Sequence, residues 1–411
     1  MDHFDIVLAL ARAALETRSP RALHHISQLR DALAKQDGDQ AAKLSRLLTA
    51  ANKKQEMSPL AFAEMRHGAV AIRSKLAGEL LTRNTPLPHD RESGAALVRV
   101  VFPDDAAGEP PVFSHELTEA VRDLLAEWGK LDRLSELGAA PHLRCLLYGE
   151  PGVGKTKLSR YIARHLDLPC VEARLDGLVS SFLGTTARNI GVLFDFANRY
   201  RCVLFLDEFD ALAKARDDNH ELGEIKRVVN TLLQCLDARE GQGFTIAATN
   251  HEHLLDGAVW RRFDARIKVP KPDAAAREAI LSRNLSPIEL DAPSRALLDW
   301  VTEGLTGADI ANIASAMKRY FAVHGVASQG ARMNAALMLR ALRRYIVMNV
   351  RQFDAEKVGA IAGDREALDR VLVEAGLTQA ERADFLGVSQ STISRGSRAS
   401  SRKARKGAAH G

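Results

Sequence analysis

The chain has 411 residues, 46% of them hydrophobic, a composition typical of a folded protein with more than one domain. No apolar run approaches the roughly 20 residues of a membrane-spanning helix. The first segment, MDHFDIVLALARAAL, carries acids and an arginine, so neither a membrane span nor a signal peptide is expected. The four cysteines form no CxxC pair and lie among apolar neighbours, which indicates buried thiols and a cytoplasmic protein.

Residues 1–83 are predicted to form a helical docking region without chemistry of its own. In the segment SPRALHHISQLRDAL, Ser19 is a suitable cap, Pro20 suits the first helical position, and apolar side chains recur on one face. Residues 84–112 are rich in proline and are predicted to be a linker that contains one short strand, AALVRVVF.

The remaining chain changes character three times. Strand and helix patterns alternate over 113–271, which predicts a parallel α/β sheet, and the pattern over 272–352 is wholly helical. Short helices are predicted over 353–396, and the tail 397–411 is predicted to be disordered. The formal net charge of +5 comes from this end, because six basic side chains and no acid follow Asp384.

The segment GEPGVGKTKL has the spacing G-x-x-x-x-G-K-[ST] of a phosphate-binding loop. It follows a short apolar run and precedes a helical pattern, which is the context that this motif requires. Glycines let backbone N–H groups point at phosphate oxygens, a lysine reaches the β- and γ-phosphates, and a threonine hydroxyl binds Mg²⁺. The predicted cofactors are ATP and Mg²⁺, and the alternative is a strand-to-helix turn that binds nothing. The predicted nucleotide-binding residues of the loop are Gly149, Glu150, Pro151, Gly152, Val153, Gly154, Lys155, Thr156 and Lys157.

The segment CVLFLDEFD is predicted to be a buried strand that ends in acids. The carboxyl ends of parallel strands open onto the ligand crevice. Asp207 is therefore the second predicted Mg²⁺ residue beside Thr156, and Glu208 is the predicted base that polarises an attacking water. The alternative is that these carboxylates cap a helix.

Together with further segments, these two motifs make roughly residues 113–325 resemble the AAA ATPases of the AAA+ superfamily. FTIAATN resembles the strand that ends in the family's sensor residue, and LLDGAVWRRFDARI resembles the family's second region of homology. TEGLTGADIANI resembles the start of the family's lid helix, and SSFLGTTARNIGVLFDFA resembles its central-pore loop. The residues that the resemblance implies are Asn250 as sensor, Arg261 and Arg262 as arginines that reach a neighbour's nucleotide, Gly307 and Ala308 near the nucleotide, and Phe182, Leu183 and Gly184 as the pore tip.

The resemblance implies an α/β fold: a P-loop parallel-sheet AAA+ core with a helical lid. The two arginines are adjacent, without an intervening PG, and this form of the motif is similar to that of the katanin and spastin branch. A hexameric ring that threads a polypeptide through its pore is then expected, with a separately encoded protease or adaptor as a further partner and no membrane. The alternatives are a surface salt bridge for the two arginines and a core position for Phe182.

The segment LTQAERADFLGVSQSTISR resembles a helix-turn-helix. A small residue at Ala383, a glycine at Gly387 and apolar residues in the second helix suit its packing. The second hypothesis is therefore a DNA-associated ATPase, and the alternative is a helical hairpin that closes the lid. The candidate DNA contacts are Gln390, Ser391, Thr392 and Arg395.

Overall fold

The computed structural model describes residues 78–105, 110–139, 141–174, 183–210, 222–239, 243–255, 257–325, 332–363, 365–374 and 376–394. The predicted N-terminal helices up to residue 77, the pore residue Phe182, Arg395 and the tail 397–411 lie outside the described residues.

Six strands of the described part of the chain form the main sheet, in the order β1-β3-β4-β5-β2-β6. They are β1 (Arg99–Val101), β2 (Arg144–Tyr148), β3 (Cys170–Arg174), β4 (Val203–Asp207), β5 (Phe244–Thr249) and β6 (Ala265–Lys268). The five strands from β2 to β6 pair in parallel, and only β1, at the edge, runs antiparallel to its neighbour β3. The predicted α/β sheet is confirmed.

Helices cover both faces of this sheet, because successive side chains of a strand point to opposite faces. Leu146 packs with the helices α4 and α5, whereas its neighbour Leu147 packs with α1 and α3. On the second face the buried Trp128 stacks on Phe244 at 4.1 Å between ring centroids. The helices are α1 (His115–Trp128), α2 (Leu131–Glu136), α3 (Lys155–His165), α4 (Leu183–Arg199), α5 (Leu222–Ala238) and α6 (Gly257–Trp260).

The segment before the P-loop domain is part of its core and not a free linker. Leu97 and Val98 are buried in the core that α4 and α5 form on one face of the sheet, and β1 extends the sheet. Upstream of it, the N–H of Glu79 donates to the carbonyl of Arg199 at 2.9 Å. Proline content suggested a linker at 84–112, but the apolar residues between the prolines bury themselves on the sheet edge.

The lid contains helices α7 (Ala274–Leu285), α8 (Ala292–Thr302), α9 (Gly307–His324) and α10 (Ala335–Met348). The prediction of a wholly helical segment here is corrected by a small parallel pair of strands, β7 (Glu289–Leu290) and β8 (Arg332–Met333). Their apolar residues Leu290 and Met333 join the core that the lid helices enclose.

The C-terminal helices continue the lid and do not form a separate core. They are α11 (Ala355–Ala362), α12 (Arg365–Glu374), α13 (Gln379–Leu386) and a short helix over residues 390–394. Leu368, Leu372 and Phe385 lie in the same hydrophobic cluster as the lid helices, and the buried Lys357 ammonium donates to the carbonyl of Glu303 at 2.7 Å. Within the described residues no helix has the length and hydropathy needed to span a membrane.

Candidate active site

The predicted site residues come from three adjacent strands of the sheet. Strands β4, β5 and β2 are neighbours in the sheet, and all three run in parallel. Asp207 ends β4, Asn250 follows β5, and Gly149 follows β2. Because parallel strands end at one edge, three segments far apart in sequence converge on one crevice.

The P-loop between β2 and α3 depends on glycine. Gly149, Gly152 and Gly154 have φ angles of 148°, 83° and 106°, which side chains of L-residues rarely adopt. A Cβ on Gly149 would lie 2.3 Å from the carbonyl oxygen of Val269, so the loop passes too close to β6 for any other residue. The loop leads directly into α3, whose first N–H groups and dipole favour an anion.

Lys155 is buried at the centre of the loop. Its ammonium donates to the carbonyls of Gly149 (2.6 Å) and Glu150 (2.9 Å) and to Oδ1 of Asn250 (2.6 Å). Burial lowers the pKa of Lys155, and nearby carboxylates, first that of Asp207, oppose this shift. The structure thus connects the lysine to the predicted sensor residue.

The two predicted Mg²⁺ residues lie side by side. The Thr156 hydroxyl donates to Oδ2 of Asp207 at 2.9 Å. A hydroxyl and a carboxylate are oxygen ligands of the kind that Mg²⁺ prefers, and this ion keeps several waters and takes further ligands from phosphates. Thr156 and Asp207 therefore fit a Mg²⁺ ion, which would screen phosphate charge when bound.

Glu208 has an unusual backbone conformation. Its φ angle is 56°, a left-handed value that is costly for a residue with a side chain, and its N–H donates to Oδ1 of Asp207 at 3.0 Å. Glu208 also lines the cleft, and its role as the base stays a prediction.

Asp210 is a buried residue beside the predicted site that sequence reasoning missed. It is 2% exposed and accepts hydrogen bonds from the Thr249 hydroxyl and the Asn250 N–H, each at 3.2 Å. It therefore holds the backbone of the sensor residue. Its position two residues after Glu208, at the end of a buried strand, was the available signal.

The lid contacts the P-loop directly. Helix α9 begins at Gly307 after a capping box between Thr306 and Asp309, which satisfies its first N–H groups. The N–H of Ala308 donates to the carbonyl of Gly152 at 3.1 Å. The structure thus brings Gly307 and Ala308 to the loop, where the resemblance had placed them.

Together these elements enclose a cleft of about 900 Å³. Among the residues that the structure describes, basic side chains outnumber acidic ones in its lining, which favours an anionic ligand. The charged lining residues are Lys155, Lys157, Arg160, Arg164, Arg283, Asp105, Asp207 and Glu208.

Arg261 and Arg262 are not among the residues that line this cleft. Arg261 is exposed, and Arg262 lies 3.4 Å from Asp237 and donates to the carbonyl of Ala258 at 3.0 Å. Of the predicted pore tip, Leu183 is the first residue of α4. The structure therefore does not bring either arginine into its own chain's site.

The C-terminal segment has a tight turn between two helices. Gly387 has a φ angle of 63°, and the N–H of Val388 donates to the carbonyl of Ala383 at 2.9 Å. Ile393 is buried, while the three predicted DNA-binding residues that the structure describes are exposed. These are Gln390, Ser391 and Thr392.

A family model described as "ATPase family associated with various cellular activities (AAA)" matches residues 145–271. The chain contains an AAA ATPase domain. The match begins in β2 and includes the P-loop, Asp207, Glu208 and Asn250, so it covers the residues of the predicted phosphate and Mg²⁺ site.

Several curated relatives are similar to part of this chain. The chain is 40% identical over 203 residues to an uncharacterized AAA family ATPase, y4kL, of Sinorhizobium fredii, covering 49% of this chain and 60% of that protein. It is 33% identical over 233 residues to the ATP-dependent zinc metalloprotease FtsH 3 of Sorangium cellulosum, covering 54% and 38% of the two chains. It is also 34% identical over 231 residues to FtsH of Aquifex aeolicus, covering 52% and 34%.

The chain thus spans only part of the curated relatives that it matches. A solved structure described as the crystal structure of the FIGL-1 AAA domain aligns with a TM-score of 0.46 at 20% identity, covering 64% of this chain and 86% of that one.

Proposed function

We propose that this protein is an ATP-driven motor that remodels polypeptides and works as a homo-oligomeric ring, with six subunits as the expected number. The observation that carries the proposal is the position of Arg261 and Arg262 outside the cleft of their own chain. The cleft offers Glu208 for the attacking water and Lys155 for the phosphates. An arginine from a neighbouring subunit would supply the remaining positive charge and is worth about 10³–10⁵ in rate.

The ion pair that Arg262 forms within its own chain is compatible with this role. Its distance to Asp237 is 3.4 Å, and the two side chains are 32% and 48% exposed. An ion pair at such exposure contributes at most about 1 kcal/mol. A neighbour's triphosphate, with several negative charges, would displace Asp237 as the partner of Arg262.

Mixing two inactive variants tests the shared site. Arg262→Ala subunits keep Glu208, and Glu208→Gln subunits keep Arg262, so mixed rings contain some complete sites. Random mixing in equal amounts is expected to restore about a quarter of wild-type ATP turnover. In one neighbouring pair in four, a subunit with an intact Glu208 receives an intact Arg262 from its neighbour. Each variant mixed with itself is the control, and a mixture no more active than these controls would refute the shared site.

A polypeptide substrate is supported by the names of the FtsH relatives, which are ATP-dependent zinc metalloproteases. A separately encoded protease or adaptor would then act beside this chain. Phe182 is the residue predicted to touch the threaded polypeptide. Phe182→Ala is expected to spare basal ATP turnover and to abolish unfolding of a tagged fluorescent substrate. Equal loss of both activities would contradict a pore role.

A second candidate function, association with DNA, is favoured by the turn at Gly387 and the exposed face at 390–392. In a helix-turn-helix the start of the second helix meets base edges, while basic residues grip phosphates. Deleting the residues after Gly396 should weaken binding of duplex DNA and reduce its log–log salt slope by about 0.9 for each phosphate that the shortened protein no longer neutralises. Gln390→Ala should reduce discrimination between sequences. If the assembled full chain binds no duplex at low salt, the segment serves only the lid.

A further inference from the structure

One wall of the cleft is a short segment that precedes the AAA domain, residues 110–113, here named the strap. Its sequence is PPVF, and all four residues line the cleft. The two consecutive prolines restrict its backbone. At its end, Phe113 is buried, and its ring carbon Cε1 lies 3.3 Å from the position that a Cβ on Gly154 would occupy. The strap is therefore anchored on the P-loop at one end.

Its other end is held by the lid. Nη1 of Arg283, on the lid helix α7, donates to the carbonyl oxygen of Pro110 at 2.5 Å. The two residues are 173 positions apart, and both line the cleft. The bond thus joins the lid to the strap along the lining of the cleft.

Part of the lining is apolar. Ile280 and Ala311 of the lid line the cleft together with the four residues of the strap. The Asn284 amide, also in the lining, donates to the carbonyl of Ile280 at 2.7 Å, within its own helix. With phosphates held at Lys155 and Thr156, a nucleotide's base and ribose would lie between the strap and α7.

We propose that Arg283 is a positioning residue for the nucleotide: its bond to Pro110 holds the strap against the lid and so slows nucleotide release. The bond links a charged donor to a backbone carbonyl and is stronger than a bond between neutral groups. A nucleotide bound beneath it leaves only after the strap and α7 separate. The inference rests on ATP binding in the cleft and goes beyond the proposed remodelling function.

The test compares full-length variants by stopped-flow release of a fluorescent ADP analogue. Arg283→Met keeps the aliphatic stem and removes the donors, so release is expected to be about tenfold faster, the usual scale for losing a charged hydrogen bond. Arg283→Lys keeps one charged group and should give an intermediate rate. Arg340→Met, at an exposed arginine of the same lid outside the cleft, is the matched control and should release at the wild-type rate.

Two further readouts separate positioning from a general structural role. For Arg283→Met, the KM for ATP should rise while kcat does not fall, and the unfolding temperature without nucleotide should fall by only about 2–4 °C, as for one lost hydrogen bond. Pro110→Gly, which loosens the strap, should also speed release, and combining it with Arg283→Met should add little.

Wild-type release from Arg283→Met would overturn the inference. A larger fall of the unfolding temperature without nucleotide, which Arg283→Lys does not restore, would also overturn it, because it would indicate a general structural role. If the wild-type protein itself bound no ATP analogue, the proposed function would fail first, so the two failures are distinguishable.

Discussion

The close approach of the P-loop to the lid predicts a specific effect of Gly152→Ala. Gly152 has a φ angle of 83°, which costs an L-residue about 1–2 kcal/mol. The new Cβ would lie 2.8 Å from the Thr306 hydroxyl oxygen and 3.1 Å from Cβ of Ala308, closer than atoms pack. Moving Thr306 disturbs the cap of α9, worth about 1 kcal/mol. The total loss of stability, about 2–3 kcal/mol, concerns the contact between the P-loop and α9 that closes the cleft.

Gly304→Ala is the matched control, because Gly304 has a φ angle of 76° and a Cβ there would meet nothing within 4 Å. Thermal unfolding should show destabilisation of both variants. Titration with a fluorescent ATP analogue should show weaker binding, by about tenfold or more, for Gly152→Ala only.

Adding Thr306→Ala to Gly152→Ala removes the colliding hydroxyl. The double variant should therefore lose about 1 kcal/mol less than the sum of the two single losses. Wild-type affinity for ATP in Gly152→Ala, or strict additivity in the double variant, would refute the argument from the packing of the loop against the lid.

Three further outcomes follow from the described contacts. Glu208→Gln should keep ATP binding and lose about 10²–10⁴ in turnover, the scale of a general base, whereas Lys155→Ala should weaken nucleotide binding itself; equal turnover in Glu208→Gln would contradict the assignment. Hydrogen bonds, first from the Glu92 N–H, lower the pKa of Asp90 in the folded protein. The ionised carboxylate therefore stabilises the fold above the pKa that Asp90 has in the unfolded chain, and this contribution is lost as the pH falls through the pKa in the folded protein. Asp90→Asn should therefore be less stable than wild type at pH 7 in urea unfolding, and the gap should close below about pH 4. Phe385→Ala, in the core shared with the lid, should cost about 3–5 kcal/mol and destabilise the lid as a unit; a loss confined to the C-terminal helices would count against one core.

What the sequence by itself determined is local. The P-loop could be recognised because its glycines, lysine and threonine are consecutive, and Asp207 and Glu208 because they follow directly on a buried strand. The parallel sheet and the helical lid followed from the alternation of short apolar runs with helical patterns, and the resemblance to AAA ATPases agrees with the match over residues 145–271. Each of these inferences uses residues that are close in the chain.

The tertiary structure decided what depends on residues far apart. The strand β1 pairs at the sheet edge although proline content suggested a linker there, because its apolar neighbours Leu97 and Val98 are buried in the core. The C-terminal helices share the lid's core for the same reason, and no local pattern distinguishes that arrangement from an independent module. The bond from Arg283 to Pro110 is invisible in the sequence, since a backbone carbonyl has no residue signature and only the fold brings it within reach of the guanidinium.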